Sequence, residues 1–266
     1  MGKGEGEAGS MAMPGAPWMA SRGHPDRECE DAFWIDRARG IALIADGMGG
    51  REGAGDAARR SSQHIREIVN LLPAEGERAG WSKKLMEYLR NDLLEYRAEH
   101  KLPEADAGAV LMIKDGDEVE VSWCGDARAY LWEGDKLTRL TLDHSKVLEE
   151  LPKDRQEEIL GHIDRAIMPE ELPEGLLHYW RNHNHTSSGV AEGEIGMVRT
   201  PFRAGQKILL CSDGVHDNLA HYEISEAFQE QEDPSELILD RAWVRSSKIH
   251  PRAKKDDITL LIIPHA

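Results

Sequence analysis

Apolar positions recur along this chain in two rhythms, the two-residue period of a strand and the three-to-four-residue spacing of a helix. Residues 32–36 (AFWID) and 40–46 (GIALIAD) read as strands joined by a polar turn at 37–39, a hairpin. From 53 to 72, Ile65, Ile68, Val69 and Leu72 fall at helical spacing. Trp81, Leu85, Leu89, Leu93 and Tyr96 mark a second amphipathic helix. Strand pattern returns at 110–113, at Val119, Val121 and Trp123, and at 129–132, with turns at Asp115-Gly116 and Glu133-Gly134-Asp135, which reads as an antiparallel meander. Residues 146–185 lose that pattern and carry helical stretches interrupted by Pro152, Pro169 and Pro173, an irregular insertion. A strand at 206–212, helices at 221–230 and 235–247 and a buried strand at 258–263 complete the chain. Strands interleaved with paired helices, without regular βαβ alternation, predict an α+β fold: a four-layer αββα sandwich of two antiparallel sheets flanked by helices.

Residues 1–20 are rich in Gly, Ala, Met and Pro without a period and read as a mobile tail. Gly4, Gly6 and Gly9 form a G-x-G-x-x-G string there, but no strand precedes it and no helix follows, so it carries no dinucleotide-binding reading. One domain over 21–266, with an insertion at about 146–193, is expected. The net charge of -16 argues against nucleic acid, whose binding needs clustered Lys and Arg, and suits cation binding. Three cysteines without a C-x-x-C pair exclude a disulfide framework and a cysteine zinc site, and point to the cytoplasm. No apolar run is long enough to span a bilayer and no signal peptide is apparent, so no membrane partner is expected. The expected working form is a monomer.

Aspartates end the apolar runs. IALIADGMGG places Asp46 at a strand end, followed by glycines that admit backbone close to an ion or phosphate. SWCGDARAY, KILLCSDGVHDN and KKDDITLLII do the same for Asp126, Asp213 and the pair Asp256-Asp257, and Glu30-Asp31 lies upstream. A phosphate loop, a cysteine nucleophile with arginine six residues on, G-x-S-x-G and H-E-x-x-H are all absent. What remains is an oxygen-rich cluster suited to Mg²⁺ or Mn²⁺ rather than zinc, and hence to metal-activated water.

In order, CEDAF, ADGMGG, CGDARAYL, LTLDHS, CSDGVHDN and DDITLLII make the chain similar to the metal-dependent serine/threonine protein phosphatases of the protein phosphatase 2C, or PPM, type. The resemblance implies that Asp46 bridges two Mn²⁺ or Mg²⁺ ions, that Glu30 and the Gly47 carbonyl complete one site, and that Asp213 and Asp256 complete the other. Asp126 would contact a third, more loosely held ion. It further implies hydrolysis of phosphomonoesters on Ser or Thr of a phosphorylated protein by a metal-bridging water, opposing a Ser/Thr kinase. The usual phosphate-binding arginine position holds Asp26; Arg22 and Arg27 are the candidates, with Arg27 favoured. Met48 stands where eukaryotic relatives carry His, and His144 is read as a packing or hydrogen-bonding residue before a catalytic acid. Cys29 and Ala107-Gly108-Ala109 depart from the pattern without touching a ligand, while Asp257 adds negative charge beside the metals. His183 and His185 lack a companion at metal-ligand spacing. The region 146–193 corresponds to the flap beside the site and leaves specificity open. The alternative from another class is a pseudophosphatase that binds a phosphoprotein or regulator on the same fold, and a two-metal nuclease is disfavoured by the acidity.

Overall fold

The residues of β3 (Ile41–Gly47) divide by parity: Leu43 and Ala45 belong to one core, Ala42 and Ile44 to another. Adjacent side chains on a strand point to opposite faces, so a strand apolar on both lies inside a layered fold. The computed structural model describes residues 17–23, 25, 27–49, 51–182 and 189–265. One sheet orders β2 (Asp31–Asp36), β3, β4 (Ala107–Asp115), β5 (Glu118–Cys124) and β8 (Gly196–Pro201). The second orders β1 (Trp18–Arg22), β10 (Ile258–Pro264), β9 (Lys207–Cys211), β6 (Arg128–Glu133) and β7 (Lys136–Arg139). Every pairing is antiparallel.

Between the sheets, Ile44, Val110 and Val121 meet Ala129, Leu210 and Leu261. On the first sheet's outer face lie α1 (Ala54–Ile68) and α2 (Trp81–His100), which bury Ala57, Ala58 and Ile65 and Leu85, Leu89 and Leu93 at helical spacing. The other outer face takes α7 (His221–Glu230) and α8 (Ser235–Ser246) through Ile224, Phe228, Ile238 and Ala242. The result is the four-layer α+β sandwich that the periodicity predicts.

Three features differ from the sequence pattern. Trp18 to Ala20 open β1 and pair with β10, so the ordered fold begins inside the segment expected to be tail; residues 1–16, with the glycine string, lie outside the described residues. The expected meander breaks after β5. Gly125, at φ 86, directs the chain to the other sheet, where β6 pairs with β7 and β9, while β8 takes the edge of β5. Both β7 and β8 went unread because they carry little alternating apolar pattern, and β7 spans only four residues.

The insertion carries α3 (Lys146–Glu149), α4 (Lys153–Arg165) and α5 (Leu177–Asn182), with a core of their own around Leu148, Ile159, Leu160, Ile163 and Leu176. It is fastened to the sandwich by charge. Asp164 accepts from Nη1 of Arg128 at 2.9 Å and Nη1 of Arg139 at 2.6 Å. Arg128 is itself gripped by Asp143 through Nε at 2.8 Å and Nη2 at 2.5 Å. Buried Arg252 donates to the carbonyls of Ile163 and Ala166 on one side and of His216 and Leu219 on the other, and lies over the Trp180 ring.

Candidate metal centre

Antiparallel register brings the aspartate-bearing strand ends to one rim. Asp31 pairs with Asp46, and Asp46 with Gly108, at the end of the first sheet. In the second, Cys211 pairs with Arg128 and Leu260, which sets Asp126, Asp213 and Asp256 beside one another just past or before these strands. The two rims are joined directly, since Oδ2 of Asp46 accepts from the N–H of Asp213 at 3.1 Å. Asp213 opens α6 (Asp213–His216). The resulting cleft, about 530 Å³, is lined by Glu30, Asp46, Gly47, Asp126, Asp213 and Asp256, and by Arg27, Arg51, Lys254 and Lys255.

Glycine is required at two positions here. A Cβ on Gly47 would stand 2.8 Å from the Glu30 carbonyl and from backbone atoms of Ala54; the Gly47 N–H donates to that same Glu30 oxygen at 3.1 Å. A Cβ on Gly214 would come within 2.0 Å of the Asp257 carbonyl. Both contacts are with backbone, which has little room to give.

Burial and mutual repulsion make the cluster reluctant to ionise without cations. Asp46 is held well above the usual carboxylate range, first by burial and then by the charges of Asp213, Asp31 and Asp256. Asp213 is raised likewise by burial, against the pull of Lys254. Asp126 is pushed up to about 6, chiefly by burial. Burial also lifts Asp31 to about 6, although hydrogen bonds from Thr259 and Ser212 oppose it.

The donor set fits hard divalent ions. Every acidic side chain offers oxygen, and Oδ2 of Asp126 and Oδ1 of Asp213 are buried without a hydrogen-bond partner among the described residues. Among those residues no three acidic, histidine or cysteine side chains are gathered closely enough to hold a metal ion as they stand. Cations stand between the carboxylates instead. Arg27 pairs with Glu30, with Asp256 at 2.6 Å and with Asp257 at 3.2 Å. Lys254 pairs with Asp213, with Asp217 at 3.0 Å and with Asp256 at 3.2 Å.

All six candidate ligands and Arg27 therefore line one cleft. Arg22 does not: it pairs with Asp240 at 3.4 Å and lies over the Trp243 ring on α8. Asp257 sits behind the ligands, its Oδ2 accepting the Glu30 N–H at 2.8 Å. His144 packs against Trp123, its centroid 6.0 Å from the indole, and lines a separate groove. The Cys29 thiol is pushed up to about 11 by burial and by the charges of Asp31 and Asp257, which disfavours its thiolate. Asp26, His183 and His185 lie outside the described residues. Sequence reading passed over Lys254, Lys255, Asp217 and Arg51; the one local signal was the Lys-Lys step directly before Asp256.

A family model described as Protein phosphatase 2C matches residues 20–242. The serine/threonine phosphatase stp of Listeria innocua is 29% identical over 233 residues, covering 84% of this chain and 83% of that protein. Among solved structures, Stp1 from Staphylococcus aureus, a serine/threonine phosphatase, aligns with a TM-score of 0.71 at 18% identity over 98% of this chain and 99% of its own. The catalytic domain of the phosphatase PstP, in complex with two manganese ions, aligns with a TM-score of 0.69 at 19% identity over 94% and 97%.

Proposed function

The chain belongs to the protein phosphatase 2C family, and from that premise we propose that it removes phosphate from Ser or Thr of a phosphorylated protein with the help of Mn²⁺ or Mg²⁺. The observation that carries this is the convergence of Glu30, Asp46, Asp126, Asp213 and Asp256, from five separate chain segments, on one cleft. Asp46, Glu30 and the Gly47 carbonyl would hold one ion, and Asp46, Asp213 and Asp256 would hold another. The buried, unpartnered oxygen of Asp126 supports its place at a third ion. Bound divalent ions supply positive charge that neutralises these carboxylates, lowers the pKa of water and faces the phosphoryl oxygens.

The chain's own groups do the positioning. Arg27 lines the cleft, its guanidinium held by Glu30, Asp256 and Asp257, and a planar fork of this kind suits a phosphate dianion. Asp257 accepts the Glu30 N–H, which fixes the backbone of the loop that carries both Glu30 and Arg27. The Asp46 carboxylate accepts the Asp213 N–H, which ties the two halves of the site together. Met48 lines the cleft and its thioether cannot donate a proton, and we propose that water delivers the proton to the leaving oxygen.

The proposed partner is a phosphoprotein made by a Ser/Thr kinase, and the enzyme acts as a monomer. Cys29, Cys124 and Cys211 form no disulfide among the described residues, which supports a reducing compartment such as the cytoplasm. No helix among the described residues is long and apolar enough to cross a membrane. All five acidic ligand candidates are retained, so no observation favours the pseudophosphatase. Release of phosphate from a phosphothreonine peptide is expected with Mn²⁺ and absent in excess chelator. Peptide binding without release at saturating Mn²⁺ would instead establish the pseudophosphatase.

A further inference from the structure

Lys254 stands among the carboxylates of the metal centre rather than at its edge. Its ammonium pairs with Oδ2 of Asp213, with Oδ2 of Asp217 at 3.0 Å and with Oδ2 of Asp256 at 3.2 Å, so three carboxylates surround one Nζ. Two of these, Asp213 and Asp256, are proposed metal ligands, whereas Asp217 is not. The backbone of this residue is clamped in place. Its N–H donates to Oδ1 of Asn218 at 3.0 Å, and Nδ2 of the same Asn218 donates back to its carbonyl at 3.0 Å and to the Gly214 carbonyl at 2.9 Å. With the backbone held, any displacement of the ammonium falls to the side chain, and Asp217, outside the ligand set, gives it somewhere to remain.

We propose that Lys254 is a tethered cation that holds the Asp213–Asp256 side of the cluster until a divalent ion displaces it, so that metal affinity there is set by competition with its ammonium. A covalently attached competitor cannot be diluted away, and it weakens apparent affinity by the fraction of time it holds the oxygens. The same ammonium relieves repulsion among buried carboxylates, so it stabilises the metal-free fold. The inference rests on the metal-centre reading above.

The test measures Mn²⁺ binding to the full chain by titration calorimetry and thermal unfolding in chelator, for wild type, Lys254→Met and Lys254→Gln. Both variants should bind Mn²⁺ about tenfold more tightly at one site or sites. In chelator both should melt several degrees lower than wild type. These opposite signs separate competition from support, because a lysine that merely orients Asp213 would give weaker binding when removed. Unchanged or weaker binding in the variants overturns the proposal. So does failure to fold in millimolar Mn²⁺, since the loaded state has no need of the ammonium. Absence of Mn²⁺ binding in the wild type would instead defeat the metal-centre reading itself.

Discussion

Asp164→Asn probes how strongly charge fastens the insertion to the sandwich. The change keeps volume and one acceptor but removes the charge that Arg128 and Arg139 share at 2.9 and 2.6 Å. Breaking a buried ion pair by deleting one partner costs about 3–5 kcal/mol. Here the loss is softened on both sides, because Arg128 keeps both oxygens of Asp143 and Arg139 is partly exposed. A loss of about 2–3 kcal/mol follows, or a fall in Tm of roughly 4–12 °C for a domain of this size. Guanidinium unfolding of the Mn²⁺-loaded protein at pH 7 measures it.

The pH dependence adds a second, independent check. Burial opposes ionisation of Asp164, yet the Arg128 and Arg139 guanidiniums hold its carboxyl well below the usual range. A depressed carboxyl contributes stability that is complete above its unfolded pKa of about 4 and is lost as pH falls toward its folded value. The gap between wild type and variant should therefore be flat from pH 8 to about 5 and shrink on further acidification. A gap under about 0.5 kcal/mol at pH 7, the range of an ordinary surface substitution, or a gap that widens in acid, would refute the reasoning.

Asp46→Asn and Asp213→Asn should each lower turnover of an aryl phosphate by at least ~100-fold at saturating Mn²⁺, since each removes a charged ligand; near-normal rates would mean that the ligands are misassigned. Arg27→Ala should raise KM for a small phosphate ester, whereas Arg22→Ala, on the Asp240 and Trp243 side of the second sheet, should leave it within about twofold. The reverse pattern would move the phosphate to Arg22. Gly214→Ala should lose Mn²⁺ affinity and thermal stability together, because its Cβ meets the Asp257 carbonyl at 2.0 Å beside both Asp213 and Asp256. Wild-type melting with weakened metal binding would place the contact elsewhere.

What was legible in the chain follows from the range of the forces involved. Strands buried on both faces, such as β3 and β4, announce themselves as continuous apolar runs, and α1 and α2 by one apolar stripe. The pairing of β6 does not show locally. The same alternating pattern serves a meander or a crossover, and only the edge taken by β8 and the left-handed Gly125 decide between them. β1 was hidden for a similar reason, since Met19 and Ser21 gain meaning only beside Leu261 and Thr259.

The site divides along the same line. Each acidic ligand candidate was readable because it sits at or beside a strand end, most often next to a glycine, a local arrangement. Of its cations only Arg27 was singled out; Arg51, Lys254 and Lys255 were not, because they meet the acidic side chains only after the two sheets are assembled. This alters how the acidity of the chain is understood. A net charge of -16 suits cation binding in general, yet four basic side chains line the cleft itself and largely balance its five acids. Long-range attraction is screened within about 8–10 Å at ordinary salt. Metal affinity must then come from the arrangement of the oxygens, and in particular from those of Asp126 and Asp213 that no side chain satisfies. Neutralising distant surface acids should accordingly change Mn²⁺ affinity little, and its dependence on salt should be weak.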